Sequence, residues 1–290
     1  MSDQPIPSDA TIAVTGATGR LGGRVARRLS AAGVPQRLLV RDPGRAPQLP
    51  GATAVPGDFA DRAAVRAALD GVDRVLMVSA SESADRVDQH RMFVDAAVEA
   101  GVDHLVYISF YGAAPNATFT LARDHHATEE HIRAGGLAHT FLRDNMYADL
   151  MPSLAGDDGV IRGPAGDGRV AAVALDDIAD AATAVLLNAP QHAGAAYDLT
   201  GPEALTLDEV AEILTKATGR DITYHRETVE EAYRSRASYG APDWLLDAWV
   251  STYTAIADGE LAGITDHVER LTGHPATSLA DVVRDQAATG

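Results

Sequence analysis

Short apolar runs alternate with longer amphipathic stretches through the first half of the chain. The first run, Ile12–Thr15, precedes a stretch in which Leu21, Val25 and Leu29 share one helical face and Gly33 ends the helix. The later runs are predicted as strands with helices between them: Arg37–Val40, Ala52–Val55, Val75–Val78, His104–Ser109 and Ala138–Leu142. This alternation predicts a parallel sheet with helices on both faces, joined by right-handed crossovers.

The second half of the chain follows a less regular pattern. Gly156–Gly168 is rich in glycine and aspartate and is predicted as a loop or hairpin turn, whereas Arg169–Leu175 is predicted as a strand. Asp176 or Asp177 is expected to cap the helix that follows. Tyr197–Leu199 is expected to return to the main sheet as a strand.

Together these elements predict an α/β protein with a Rossmann-like, doubly wound parallel sheet and a smaller, mainly helical C-terminal lobe. We place the dinucleotide-binding domain at residues 10–155, with a strand and a helix contributed from about 169–200. The lobe occupies residues 201–290 and is expected to cover the substrate. Its first helix is predicted from the capping box Thr206-Leu-Asp-Glu209. In the dinucleotide-binding domain, Asp61 is expected to cap a helix.

Composition narrows the class of protein further. The chain has 290 residues, a formal net charge of −17, 46% apolar residues and no cysteine. The negative charge argues against nucleic-acid partners, and the lack of cysteine excludes disulfides and thiolate metal sites. The polar start Met1–Asp9 lacks a signal-peptide pattern, and no apolar stretch is long enough to span a membrane. We therefore expect a cytoplasmic monomer or homodimer that acts on a small molecule, without a membrane or a metal ion.

The turn after the first strand carries the strongest chemical signal. Gly16, Gly19 and Gly22 form G-x-x-G-x-x-G between a buried strand and a helix, the spacing that lets a backbone hold a dinucleotide pyrophosphate. The free N–H groups and the positive end of the helix would face the anion. The predicted cofactor contacts in this turn are Gly16, Thr18, Gly19, Arg20, Leu21 and Gly22.

The ends of later strands extend the predicted cofactor site. Arg41, with Arg45 nearby, follows the second strand, where an arginine suits the 2′-phosphate of NADPH. Binding of NADH stays open, because Asp42 could turn inward instead. Asp58 could accept a hydrogen bond from the adenine amino group or serve only as a turn residue. The predicted contacts are completed by Phe59, Ser79, Ala80 and Ser109.

Several segments of the chain resemble a known family. Residues 106–109 (Val-Tyr-Ile-Ser), 121–129 (Leu-Ala-Arg-Asp-His-His-Ala-Thr-Glu) and 136–147 (Gly-Leu-Ala-His-Thr-Phe-Leu-Arg-Asp-Asn-Met-Tyr) are similar to NmrA-like atypical short-chain dehydrogenase/reductases. With the glycine-rich turn and residues 199–203 and 268–275, the chain most resembles the bacterial type 2 NADPH:quinone oxidoreductases and their azoreductase-like relatives. The resemblance covers nearly the whole chain and implies a reductase that uses NADPH.

The resemblance also brings out a departure from the wider superfamily, whose members use a serine and a Tyr-x-x-x-Lys pair. With Glu129 as the reference, the lysine position is His125 and the tyrosine position is Leu121, so the usual proton donor is absent. Reduction of a quinone tolerates this loss, because the oxyanion that forms is a stabilised phenolate and needs only modest hydrogen bonding. The candidate donors are Ser109, Tyr111, His125, Asn145 and Tyr147.

Most of these candidates also have a purely structural interpretation. His125 and Glu129 could form an exposed i, i+4 pair, Asn145 could be a buried turn amide, and Tyr147 could be a packing aromatic. Two functions therefore stay open. One is NADPH-dependent reduction of quinones, azo compounds or similar conjugated acceptors, and the other is NAD(P)-dependent redox sensing that acts through a protein partner without catalysis.

Aromatic residues near the C-terminus recur at helical spacing. Trp244, Trp249 and Tyr253 lie in a stretch that is predicted to be helical. Their spacing predicts packing in the first place and the wall of a substrate pocket in the second.

Overall fold

The computed structural model describes residues 11–289, so the predicted polar start and residue 10 of the predicted domain lie outside the described residues. Its strands are β1 (Ile12–Thr15), β2 (Gln36–Val40), β3 (Ala52–Pro56), β4 (Arg74–Met77), β5 (His104–Phe110), β6 (Ala138–Asp144), β7 (Val160–Gly163), β8 (Ala196–Leu199) and β9 (Thr223–Arg226). Its α-helices are α1 (Arg20–Ala31), α2 (Arg62–Ala68), α3 (Arg86–Ala100), α4 (Thr120–Gly135), α5 (Leu175–Leu187), α6 (Leu207–Thr218), α7 (Val229–Arg236), α8 (Asp243–Ala257), α9 (His267–Thr272) and α10 (Leu279–Thr289).

The main sheet has seven strands in the order β3-β2-β1-β4-β5-β6-β8. β1 pairs in parallel with β2 on one side and with β4 on the other, so Val14 lies between Leu38 and Leu76. All four residues of β1 are buried, as expected for a central strand covered on both faces. The order of strands reverses between β1 and β4, and ligands bind at such a switch point in open α/β sheets. The predicted Rossmann-like fold and the return of β8 to the main sheet are confirmed.

The chain forms two compact units. The first consists of Met1–Ser109, His126–Arg143 and Ile178–Tyr197, and the second of Phe110–His125, Asp144–Asp177 and Asp198–Gly290. Each unit has its own apolar core. The predicted domain limits, 10–155 with 169–200 and then 201–290, stay a prediction.

Two expectations for the second unit were wrong. The predicted loop Gly156–Gly168 contains β7, which pairs in parallel with β9. In the predicted strand Arg169–Leu175, Leu175 begins α5, and the backbone groups before it bond to separate partners. Val170 is paired to Leu205, and the Ala171 N–H donates to the Leu261 carbonyl. Because no single neighbour offers it a continuous ladder, the segment does not become a strand.

The helix caps agree with the sequence at most positions. Asp61 accepts from the Ala64 N–H at the start of α2, and Thr206 forms the predicted capping box with Glu209 at α6. The predicted cap of α5 was wrong, because Asp176 and Asp177 lie inside the first turn of that helix. Among the helices within residues 11–289, none has the length and apolar character to cross a membrane.

Candidate functional site

The glycine-rich turn has the geometry of a phosphate cradle. Gly16 adopts a φ of +64°, and the Gly19 N–H donates to the Gly16 carbonyl oxygen over 2.8 Å, which closes the turn. A Cβ on Gly22 would lie 2.6 Å from the carbonyl oxygen of Thr15, so α1 approaches the end of β1 this closely only because residue 22 lacks a side chain. The first turn of α1 holds no acidic residue. This turn therefore fits the diphosphate of a dinucleotide.

A cavity of about 310 Å³ opens next to the turn, where the first four strands of the first unit end. We call it the nucleotide pocket. The predicted contacts that line it are Gly16, Thr18, Arg41, Asp58, Phe59, Ser79 and Ala80. The predicted contacts outside its lining are Gly19, Arg20, Leu21, Gly22, Arg45 and Ser109. The binding roles of both groups stay predictions.

Of the charged residues that follow β2 and β3, Arg41 and Asp58 line the pocket and Asp42 does not. Asp42 does not line the pocket, and its Oδ1 accepts from the Gly44 N–H over 2.9 Å. Arg41 is exposed and lines the pocket, which leaves positive charge at this edge. Asp58 makes the contact of a turn residue, since its Oδ1 accepts from the Ala60 N–H over 3.1 Å, and it also lines the pocket. Its hydrogen bond to the adenine amino group stays a prediction.

A buried histidine fixes the loop after β4. The Nε2 of His90 accepts from the Ala80 N–H over 2.9 Å, and its Nδ1 lies 2.9 Å from the hydroxyl of Thr128. Burial lowers the pKa of His90 to about 3, so the ring is neutral at physiological pH. Because Nε2 accepts, Nδ1 carries the proton and donates to Thr128. His90 thereby holds one wall of the nucleotide pocket in place.

Ser109 and Glu129 belong to a buried ionic cluster in the first unit. Glu129 is fully buried, and its Oε1 accepts from the Ser109 hydroxyl over 2.7 Å. Arg143 donates to both carboxylate oxygens, at 2.8 and 2.6 Å, and Arg133 donates to Oε2 at 3.1 Å. Because His125 and Glu129 are both buried, the alternative interpretation of an exposed pair was wrong. The hydroxyl proton of Ser109 is directed to Glu129. The Ser109 oxygen can therefore accept a further hydrogen bond but has no second proton to donate.

Asn145 is tied to the backbone at both ends of its side chain. It is fully buried, its Nδ2 donates to the Leu261 carbonyl over 3.0 Å, and its Oδ1 accepts from the Met146 N–H over 2.8 Å. These are the contacts of a buried turn amide. They hold residues 145 and 261 together in the second unit.

The other candidate donors also lie in the second unit. The Tyr111 N–H donates to the Asp144 carbonyl over 2.9 Å, and the Tyr111 hydroxyl occupies the space that a Cβ on Gly263 would need. Burial raises the pKa of Tyr111. His125 is buried, with its ring centre 6.0 Å from that of Phe110.

Asp144, the last residue of β6, is a buried carboxyl group that the sequence analysis did not single out. It is 1% exposed, and Tyr147 is half-buried with its hydroxyl 3.4 Å from the Asp144 Oδ2. Within the described chain, Oδ1 has no hydrogen-bond partner. Burial raises the pKa of Asp144 well above its usual value, and the Tyr147 hydroxyl lowers it in part. The environment therefore favours the protonated carboxyl group.

Asp144 should make the protein less stable as the pH rises. Above about pH 4 the unfolded chain releases this proton while the folded chain keeps it, so the free energy of unfolding decreases until the raised pKa is passed. The isosteric variant Asp144→Asn should not show this decline. Its free energy of unfolding should therefore increase relative to that of the wild type as the pH rises. Urea unfolding at a series of pH values would measure both slopes.

A matched control has the opposite sign. The Arg162 side chain lowers the pKa of the exposed Asp158, so Asp158→Asn should lose stability relative to the wild type above about pH 4, by a small amount. Parallel curves for the wild type and Asp144→Asn would contradict the assignment of a protonated Asp144.

Within residues 11–289, no group of three or more His, Asp or Glu side chains is arranged to hold a metal ion. The sequence pattern of the NmrA-like family matches residues 8–243. The chain belongs to the NmrA-like family. The predicted recognition is thus confirmed.

Curated relatives resemble this NmrA-like protein over nearly its full length. Quinone oxidoreductase 2 of Escherichia coli (strain K12) is 35% identical over 279 residues, which cover 94% of this chain and 97% of the relative. An NAD(P)H azoreductase of Xenophilus azovorans is 34% identical, and the matched residues cover 96% of this chain and 98% of the relative. The crystal structure of an E. coli NADPH-dependent quinone oxidoreductase complexed with NADPH is similar to this chain with a TM-score of 0.87 and 35% identity. The match covers 95% of this chain and 99% of that structure's chain. These relatives favour the reductase interpretation over the sensing alternative.

Sequence reasoning missed His90 and Asp144, and it misplaced Glu129. A polar residue on a helix face or at a strand end carries no local sign of burial, because its partners come from distant parts of the chain. For Asp144 one signal was available. It is an acidic residue that directly follows the run Phe-Leu-Arg at the end of a strand, inside the segment that carries the family resemblance.

Proposed function

We propose that this NmrA-like protein is an NADPH-dependent reductase of quinones, azo compounds or similar conjugated acceptors. The observation that carries the proposal is the Gly22 cradle, which adjoins a pocket whose lining includes Arg41 but not Asp42. The near full-length relatives named above point to the same chemistry. NADPH, when bound, supplies the hydride for the reduction.

The residues of the first unit would bind and orient the cofactor. The N-terminal N–H groups of α1 would hold the diphosphate, and Arg41 would pair with the 2′-phosphate. Asp58 would accept from the adenine amino group. His90 would act indirectly, because it fixes the backbone of Ala80 in the pocket wall.

Arg41→Ala should weaken NADPH binding by about ten- to a hundredfold and leave NADH binding nearly unchanged. A hydrogen bond to a charged group contributes about 1.5–3 kcal/mol, and NADH lacks the 2′-phosphate that would receive it. Calorimetric titration with each nucleotide would measure both constants. Arg66→Ala is the charge-matched control, since Arg66 is exposed on α2 and does not line the pocket. If Arg41→Ala weakened the binding of NADPH and of NADH by the same factor, a contact between Arg41 and the 2′-phosphate would be contradicted.

Tyr147 is the candidate whose contacts best suit proton donation to the reduced acceptor. The Ser109 proton is directed to Glu129, and Asn145 is tied to the backbone at both ends. Tyr147 is half-buried, and its hydroxyl donates to the Asp144 Oδ2 only over 3.4 Å, a longer hydrogen bond than the 2.7 Å that holds the Ser109 proton. Burial raises the pKa of Asp144, which favours its protonated form. Protonated Asp144 would replace the proton that Tyr147 gives up. Hydrogen bonds of this kind are often long before the substrate binds and shorten in the complex.

Tyr147→Phe should lower kcat with a quinone by about tenfold and leave the NADPH dissociation constant unchanged. General acid catalysis typically contributes a rate factor of about a hundred or more. We expect a smaller loss of kcat here, because the phenolate that forms from a quinone is stable and needs little stabilisation by a proton donor. Steady-state kinetics with quinones of decreasing electron affinity would test it, since poorer acceptors should lose more. An unchanged kcat across that series would exclude Tyr147 as the donor.

NADPH oxidation with a panel of quinones and azo compounds tests the proposed function itself. We expect turnover with at least one class of acceptor. Tight NADPH binding without turnover on any acceptor would contradict the proposal. Capture of a stoichiometric protein whose affinity differs between oxidised and reduced cofactor would then support the redox-sensing alternative.

A further inference from the structure

The second unit contains a cavity of about 520 Å³, and none of its lining residues lines the nucleotide pocket. We call it the aromatic pocket. The residues that line it include Tyr239, Trp249, Tyr253 and Met146. Met146 lies in the segment that carries the family resemblance, between Asn145 and Tyr147. The volume falls within the range of about 300–1,000 Å³ that is typical of small-molecule sites.

The aromatic walls are fixed by their neighbours. A Cβ on Gly163 would lie 2.6 Å from the Cγ of Tyr253, so the ring packs directly on bare backbone. The guanidinium group of Arg236 lies 5.2 Å from the centre of the same ring. Tyr239 and Trp249 meet edge to face, with ring centres 6.0 Å apart and planes at 86°. Tyr239 lines the cavity and is 72% exposed, so a ligand can reach its ring from solvent.

The charged groups in the lining are already paired. Arg236 donates to the Glu227 Oε2 and to the Arg162 carbonyl, each over 2.8 Å. The Arg162 side chain donates to the Asp158 carboxylate over 2.6 Å. An anionic ligand would therefore compete with Glu227 and Asp158 for the donors of these two arginines. The net charge of −17 on the whole chain opposes anionic ligands further.

We propose that the aromatic pocket binds the planar, uncharged ring system of the acceptor and selects against sulfonated or carboxylated rings. The proposal rests on the proposed reductase function, and it specifies which of the conjugated acceptors the protein takes. Aromatic faces and a polarizable thioether attract a flat π-system without requiring charge. The paired arginines explain the selection against anions.

The test measures binding separately from catalysis. Dissociation constants for menadione and for a sulfonated naphthoquinone would be measured by equilibrium dialysis, without NADPH. We expect menadione to bind the wild type more tightly than the sulfonated ring. Tyr239→Ala and Trp249→Leu should each weaken menadione binding by about three- to tenfold, the value of one lost aromatic contact. Tyr233→Ala is the matched control, because Tyr233 is exposed, bonds to Asp247 and does not line the pocket.

A second readout follows the two tryptophans directly. Menadione should quench the fluorescence of the wild type, and Trp249→Phe, which retains Trp244, should lose most of that quenching. Tighter binding of the sulfonated ring would overturn the proposal. Unchanged menadione binding in both ring variants would also overturn it, as would a change only in oligomeric state, which would make this rim an interface between copies.

The outcomes separate this proposal from the proposed function. Quinone turnover with NADPH that is insensitive to both ring variants would leave the reductase function standing and overturn the role of the aromatic pocket. Menadione binding that is weakened by both ring variants, without turnover on any acceptor, would support the pocket and contradict the reductase function.

Discussion

Gly22→Ala should raise the dissociation constant for NADPH by about a hundredfold or more. The added Cβ would lie 2.6 Å from both the Thr15 carbonyl oxygen and the Gly16 carbonyl carbon, so the start of α1 must move away from β1. These are backbone atoms and have no rotamer through which to yield. A displacement of about 1 Å in a preorganised site costs about a hundredfold. The same overpacking should lower the free energy of unfolding by about 1–3 kcal/mol.

A matched glycine separates loss of the cradle from loss of stability. Gly101 ends α3 with a φ of +74°, and a Cβ there would meet no atom within 4 Å. Gly101→Ala should therefore cost about 1–2 kcal/mol of left-handed strain while NADPH binding stays intact. Calorimetric titration and urea unfolding of both variants give the comparison. Wild-type affinity for NADPH in Gly22→Ala would contradict the role of the turn and, with it, the proposed cofactor site.

Glu129→Ala should lower the free energy of unfolding by about 3 kcal/mol, a factor of about a hundred in the folding equilibrium. The substitution removes the carboxylate that receives Ser109, Arg133 and Arg143, and it leaves the Arg143 guanidinium without its bidentate partner. We expect the lower end of the usual range of about 3–5 kcal/mol, because the Arg143 side chain is 24% exposed and water can reach it. Urea unfolding followed by circular dichroism would measure the loss.

The neighbouring residue Glu130 supplies the control. It is paired with Arg133 over 2.5 Å, but its side chain is 58% exposed, so Glu130→Ala should cost less than about 1 kcal/mol. Glu129→Gln tests the charge alone, and it should fall between the two alanine variants because it keeps an acceptor oxygen for the arginines. Equal stability of Glu129→Ala and Glu130→Ala would show that the buried cluster does not hold β5, α4 and β6 together.

Local patterns in the sequence were sufficient for most of the first unit. The strand, turn and helix at residues 12–31 form as the pattern predicts, because apolar runs, the glycine spacing and a helical stripe all act over short distances. Asp61 and Thr206 cap their helices for the same reason. The predictions for Gly156–Gly168 and Arg169–Leu175 were wrong because pairing there depends on partners that are far along the chain.

In the candidate site, too, some features could be predicted from local sequence and others depend on distant segments. Seven of the residues that line the nucleotide pocket were predicted, since each of the seven follows a strand and the carboxyl ends of parallel strands share one edge of the sheet. The protonation of Asp144 and the burial of Glu129 could not be predicted. Both depend on how much water the fold removes from a particular carboxyl group, which no spacing in the sequence encodes.

The sequence by itself determined the fold class, the glycine-rich cradle and the arginine beside it, because these features depend on neighbours within a few residues. Only the tertiary structure decided that Ser109 donates to Glu129, that Asp144 is enclosed beside Tyr147, and that paired arginines line a ring-sized cavity in the second unit. Burial and ion pairing are properties of surroundings assembled from distant segments. A chain therefore specifies them only by folding.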